Sequence, residues 1–164
     1  MLDVDDTAPE FTLPGTARDD DGDDIAEYSL TKALEERPVL LNFYVFNFHP
    51  ACRENVCALH NLSWFDLDEG VTVYGISTDS VHSHREFVRQ ETLGFPLLSD
   101  SDGSVAASYD VLADEIERHR QVAQRSVFLI DRSGTVRYAW SGETPSQQPD
   151  WEEIKRATDL FKPS

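Results

Sequence analysis

Lysine is nearly missing from this chain. Of 164 residues only Lys32, Lys155 and Lys162 are lysine, and Lys plus Arg total 14 against 31 Asp plus Glu, a formal charge of −17. So few cations cannot neutralise a run of phosphates, which excludes nucleic-acid binding. Long hydrophobic runs are missing as well. No stretch approaches the roughly 18 apolar residues that a bilayer crossing takes, so no membrane span is expected. The opening MLDVDDTAPE has neither the basic nor the apolar region of a secretory leader, so a cytoplasmic protein is expected. Cysteine is scarce: Cys52 and Cys57 are the only two, which excludes a disulfide-stapled scaffold. Internal repeats are absent.

What is present is a folding composition. Hydrophobic residues make up 40% of the chain and aromatics 10%, too apolar for a disordered chain of this charge. The length suits one domain spanning residues 1–164 with a real core. An acidic skin on such a core reads as adaptation to high salt, where a screening length of roughly 3 Å at 1 M tolerates self-repulsion. The densest acidic stretch, Arg18 to Asp24, invites a calcium reading. With Gly22 at the sixth position, an EF-hand loop would need an acid at Ala17 and a glutamate at Tyr28; both fail, so a solvated turn is expected.

The order of elements follows from periodicity. Ser29 opens a short helix through Glu36. Val39 to Phe46 is a near-continuous apolar run and reads as a strand buried on both faces. Pro50 suits the first turn of a helix reaching about Asp68, with Val56, Leu59, Leu62 and Phe65 on its inner side. Val71 to Ser77 is a second strand, and Ser80 caps a helix through about Thr92. A short helix covers Ser104 to Tyr109. Ser126 to Ile130 and Thr135 to Trp140 form a hairpin about Asp131–Gly134, and a last helix spans about Pro149 to Phe161. This β-α-β-α-β-β-α order, with N-terminal extras, predicts an α/β domain of thioredoxin-like fold: a central mixed sheet flanked by helices. Sites in open α/β sheets lie at strand C-termini. That directs attention to Phe46–Cys57 and the approach to Ser126.

The central segment reads FYVFNFHPACRENVCALHNLSWF. Cys52 falls in the first turn of the expected helix, where backbone N–H groups and the helix dipole favour a thiolate. Arg53 is its neighbour in sequence, and Arg125 precedes a strand expected to be central. A thiolate beside oxyanion-binding donors suits O–O cleavage, with sulfur attacking one oxygen while fixed donors take the charge of the other. Three other readings stand beside it. His49, Cys52, Cys57 and His60 have zinc-ligand chemistry, although Cys52 and Cys57 point apart on a helix. A thioredoxin-type dithiol needs C-x-x-C, which the C-x4-C spacing does not match. In the third, Cys57 is simply a small buried hydrophobe. His82, His84 and His119 are expected to be solvated, and Trp64 and Trp140 to serve packing.

These residues resemble the peroxiredoxin family in its thiol-specific antioxidant and bacterioferritin-comigratory-like branch. The resemblance runs through DTAPEFTLPG (Asp6–Gly15), the strand-to-cysteine segment, GFPLLSD (Gly94–Asp100), DGSVAASYDV (Asp102–Val111) and RSVFLIDRSGTVRYAW (Arg125–Trp140). It implies that Cys52 is the peroxidatic cysteine, Arg125 the active-site arginine and Cys57 the resolving cysteine used by one branch. Against the family signature P-x-x-x-T/S-x-x-C, Val45 stands at the proline and His49 at the Thr/Ser position. Two functions follow: a thiol peroxidase reducing hydrogen peroxide or organic hydroperoxides, or a weakened relative acting as redox sensor or binding module. The first implies a thioredoxin-like or other thiol reductant, no metal, flavin or haem, and is compatible with a homodimer. Residues i and i+5 of a helix have Cα atoms roughly 8–9 Å apart, beyond the about 7 Å a disulfide spans. Circular dichroism should therefore show lost helix when Cys52 and Cys57 are oxidised, and equal helix in both states would refute that geometry.

Overall fold

The computed structural model describes residues 1–17, 25–50, 70–91, 93, 95–142, 144, 147 and 149–159. The acidic stretch Arg18–Asp24, most of the expected cysteine helix with Cys52, Cys57, His60 and Trp64, and the last residues of the chain lie outside the described residues. In chain order come β1 (Thr12–Thr16), β2 (Ile25–Ser29), α1 (Leu30–Glu36), β3 (Val39–Phe43), β4 (Thr72–Ser77) and α2 (Val81–Glu91). Then follow β5 (Leu97–Ser99), α3 (Ser104–Ser108), β6 (Leu112–Ile116), β7 (His119–Ala123), β8 (Ser126–Ile130), β9 (Val136–Ser141) and α4 (Trp151–Asp159).

Seven strands form one mixed sheet in the order β2-β1-β5-β4-β3-β8-β9, and β6 and β7 form a separate ribbon. β3, β4 and β5 run parallel, while β8 returns antiparallel beside β3 and β9 beside β8. The described elements follow the expected α/β order, with an antiparallel hairpin at one edge. β3 and β8 are buried along their whole length, as their apolar runs predict. Side chains alternate about the sheet. Leu41, Phe43, Phe128 and Ile130 join one core with Tyr109 and Leu30. Leu40, Val127 and Leu129 join another with Phe87, Leu97 and Ile154.

Helix ends follow their capping chemistry. The Ser29 hydroxyl accepts the Lys32 N–H at the start of α1, and Asp150 accepts the N–H groups of Glu152 and Glu153 at the start of α4. That cap explains why α4 begins at Trp151 rather than Pro149. At the other end of α1, Arg132 in the β8–β9 turn donates to the carbonyl oxygens of Leu34 and Glu35, satisfying helix-end acceptors.

Three differences from the sequence expectation have physical reasons. β3 stops at Phe43, three residues early, where its pairing with β8 ends at Ser126, although the Tyr44 N–H still donates to the Ile76 carbonyl oxygen of β4 at 3.0 Å. Tyr44 and Val45 stay fully buried outside the strand. The β1–β2 hairpin and the ribbon β6–β7 are further strands, legible only weakly because TLPGT, IAEYS, LADEI and HRQVA carry no alternating run of apolar residues. β5, only three residues long, is too short to show a period.

β1 lies between β2 and β5, with Gly15 opposite both Ala26 and Leu98. A Cβ there would stand 2.9 Å from the Leu97 carbonyl oxygen and 2.9 Å from the Tyr28 ring, with Leu98 also in the way. Gly15→Ala should cost about 1–3 kcal/mol in urea unfolding, and an unchanged midpoint would contradict this packing.

Candidate active site

The C-terminal ends of β3, β4 and β5 and the start of β8 share one edge of the sheet. The β3–β8 register pairs Phe43 with Ser126, so Arg125 stands one residue beyond, where β3 gives way to Tyr44 and the cysteine loop. Arg125 is 1% exposed. Its guanidinium carbon lies 5.9 Å from the Trp140 ring centroid, and its carbonyl oxygen accepts the Gly142 N–H at 2.8 Å. Trp140 is thus half-buried packing, and it also backs the guanidinium. A guanidinium keeps its charge when buried, so this edge carries a fixed cation in a chain of net charge −17.

The loop from Tyr44 to Pro50 is held by polar contacts beneath it. The Asn47 N–H donates to Asp79 Oδ2 at 2.9 Å. The side-chain amide of Asn47 donates to Ser83 Oγ at 3.1 Å and faces His84 Nδ1 at 2.9 Å. Tyr44 donates its hydroxyl to Asn47 Oδ1 at 2.7 Å. His84 Nε2 lies 2.9 Å from the Leu98 carbonyl oxygen. A carbonyl only accepts, so Nε2 carries the proton and Nδ1 accepts from Asn47. Burial pushes His84 down to about 4, only partly offset by the Leu98 hydrogen bond. Burial also raises Asp79, against lowering hydrogen bonds from Ser77 and Asn47.

This network corrects one expectation. His84 was read as solvated, yet it is fully buried, because it lies on the inner face of α2 with Phe87 and Val88. His82 and His119 are exposed as expected. The sequence held one signal for His84: its spacing to Phe87 and Val88 matches a helical inner face. Asn47 and Asp79 carried none.

Above the network, Phe48 adopts a left-handed conformation (φ 65°), which non-glycine residues rarely take and which clusters at functional sites. Its ring packs edge-on against Phe87 with centroids 5.1 Å apart. Phe46 packs edge-on against His119 of the ribbon at 4.6 Å. His49 Nε2 lies 3.1 Å from Glu117 Oε1, with the two side chains 18% and 54% exposed. Pro50 is already helical, as expected of a first-turn proline. An open cleft of about 420 Å³ is lined by residues that include Phe46, Thr78, Asp102, Arg118, His119 and Val122.

Of the four candidate residues, His49 and Arg125 therefore sit on the same edge, and Cys52 and Cys57 lie outside the described residues. The zinc reading shares that position, since Cys52, Cys57 and His60 belong to it. Among the described residues no group of three or more His, Cys, Asp or Glu is placed to hold a metal ion, and no helix is long and apolar enough to cross a membrane.

Comparison with known proteins matches residues 4–139 to the AhpC/TSA family. The chain is 34% identical over 142 residues to a putative peroxiredoxin bcp of Coxiella burnetii, covering 85% of this chain and 88% of that one. It is 32% identical over 148 residues to the chloroplastic peroxiredoxin Q of Oryza sativa subsp. japonica, covering 90% of this chain but only 63% of that longer protein. Among solved structures it resembles peroxidoxin BcpB of Mycobacterium tuberculosis, with TM-score 0.78, 26% identity and coverage of 98% and 97%. It also resembles the reduced 2-Cys peroxiredoxin of Plasmodium vivax, with TM-score 0.82, 26% identity and coverage of 96% and 94%.

The native chain holds His84 neutral down to about pH 4, whereas the unfolded chain protonates it near the ordinary 6.5. Between those values the unfolded state binds the extra proton, so this contribution is complete above pH 6.5 and declines as pH falls toward 4. The loss should be on the order of 3 kcal/mol. His84→Gln, which cannot titrate, should flatten that part of the stability–pH curve in denaturant melts. A parallel curve for the variant would contradict the buried neutral ring.

Proposed function

The chain belongs to the AhpC/TSA family, in its Bcp-like peroxiredoxin branch, and we propose that its thiol peroxidase chemistry runs through Cys52, Arg125, His49 and Cys57 within one domain, residues 1–164. The observation that carries this assignment is Arg125, a buried cation brought by the β3–β8 register to the strand end from which the chain runs on to Cys52.

The chemistry follows from the groups. The Cys52 thiolate gives an electron pair to the protonated oxygen of the hydroperoxide. The S–O bond forms as the O–O bond breaks, and the bonding pair leaves on the other oxygen as hydroxide or alkoxide, which is protonated to water or alcohol. Sulfur is oxidised by two electrons to a sulfenic acid, and the peroxide is reduced by two. Charge moves from sulfur to the leaving oxygen, so a fixed guanidinium beside that path favours both the thiolate and the transition state. Burial strengthens its field, because little water screens it.

Cys57 then attacks the Cys52 sulfenic acid, and a disulfide and water form. An external dithiol, a thioredoxin-like protein or another thiol reductant, returns the pair to thiols. Sulfur carries the electrons throughout, so this cycle calls on no flavin, haem or metal.

Free-thiol loss after one equivalent of hydrogen peroxide tests the assignment. Reduced parent protein should react far faster than free cysteine, and Cys52→Ser should lose that reaction entirely. Cys57→Ser should keep the first oxidation but fail to turn over with a dithiol reductant. Arg125→Gln should slow the oxidation roughly 100-fold under conditions where circular dichroism shows it folded. A Cys52→Ser protein as fast as the parent would sink the assignment.

A further inference from the structure

Two guanidinium groups stand without a partner at the edge of the site, in a chain of formal charge −17. Arg118 and Arg120 line the same open cleft as Phe46, and among the described residues neither makes a hydrogen bond or an ion pair. Arg120 lies directly opposite Glu115 in the β6–β7 ladder and still does not pair with it. Arg132 and Arg137, by contrast, are both bonded. We propose that this cleft is the docking surface for a dithiol protein that reduces the Cys52–Cys57 disulfide, and that the partner presents carboxylates beside its own cysteines. This inference rests on the peroxidase reading above.

Charge selects the partner. A guanidinium can take a carboxylate through two parallel hydrogen bonds. The long-range field of this chain repels an acidic protein, so a local pair of cations fixes where such a protein lands and in what orientation. Phe46 and the buried Val122 add apolar lining beside the two arginines, and an apolar centre with a polar rim is the anatomy of a protein interface.

The ribbon holds a strained shape to present these groups. Ile116 pairs with His119, so Glu117 and Arg118 form the whole turn, and with Gln121 in β7 they have φ of 51°, 69° and 55°. All three are left-handed without being glycine, and strain of this kind persists at ligand clamps, where surrounding contacts over-determine it. Here Glu117 meets His49 and His119 packs edge-on against Phe46 at 4.6 Å.

Reach favours a protein over a small anion. Phe46 is six residues before Cys52, so the two are separated by at most about 22 Å of chain. A partner burying roughly 800 Å² on this side covers a disc about 32 Å across, enough to span that distance from the cleft. The partner's thiolate attacks one sulfur of the disulfide, and a bond between the two proteins forms as the Cys52–Cys57 bond breaks. Its second thiolate then attacks the mixed disulfide. Two electrons and two protons pass to this chain, and the partner leaves as a disulfide.

The test compares two reductants: a thioredoxin engineered with aspartates around its Cys-x-x-Cys motif, and the same thioredoxin with asparagines there. The aspartate form should reduce the oxidised parent about tenfold faster, and added salt should erase that lead. Toward Arg118→Gln/Arg120→Gln the two forms should act alike. Dithiothreitol should reduce parent and variant equally, and hydrogen peroxide should oxidise them at one rate. An aspartate advantage kept in the variant, or none in the parent, would overturn the proposal. So would dihydrolipoate leading its neutral amide by as much in the parent and losing that lead in the variant, which would make the cleft a small-molecule site. If hydrogen peroxide forms no Cys52–Cys57 disulfide in the parent, the peroxidase reading falls and this proposal with it, a result seen before any reductant is added.

Discussion

The pairing of β3 with β8 sets Phe43 opposite Ser126, and the candidate site depends on that register. β3 runs toward the site edge and β8 away from it, so the residue before β8 lands where β3 ends. The register is fixed by burial on both faces of both strands. A slip of one residue would exchange the faces of Val127 and Leu129 with those of Phe128 and Ile130 and unmake both cores. A slip would also carry Arg125 away from the cysteine loop. One packing constraint thus fixes the sheet and places its buried cation.

Three of the few cations in this acidic chain hold specific positions. Arg125 is buried beside Trp140. Arg132 closes the C-terminal end of α1. Arg137 donates to Asp131 at 2.7 Å, and Asp131 also accepts the N–H groups of Ser133 and Thr135 across the β8–β9 turn. Arginine suits each role better than lysine, because its planar fork can serve several acceptors and its charge survives burial. The carboxylate excess is left for the solvated surface.

Beneath the cysteine loop the fold sets uncharged side chains around one carboxylate, Asp79. Asn47 is bound through its backbone and both side-chain ends to Asp79, Ser83, His84 and Tyr44. A buried network of this kind rigidifies only when its members are satisfied, and the neutral Nε2–H form of His84 meets Leu98 and Asn47 together. Loop geometry at the site edge is therefore set from below by α2 and from the side by the β6–β7 ribbon. The left-handed residues Phe48, Glu117 and Arg118 mark where these two constraints meet.

The sequence by itself determined the order of buried strands and long helices, because apolar periodicity depends on local spacing. It also determined the chemistry on offer: two cysteines near a strand end, an arginine before another strand, and a histidine where its family carries a hydroxyl. It could not show β5, too short for a period, or β1, β2, β6 and β7, whose residues do not alternate between apolar and polar. For His84 it offered only the spacing to Phe87 and Val88, and which face of α2 meets β5 and β1 is decided by the fold. The partners of His49 and Asn47 were equally out of reach. Glu117 is 68 residues from His49 and Asp79 is 32 from Asn47, so only the folded chain makes them neighbours. Hydrophobic patterning is written residue by residue, whereas hydrogen-bond partners and strained turns are decided by where separate segments come to rest.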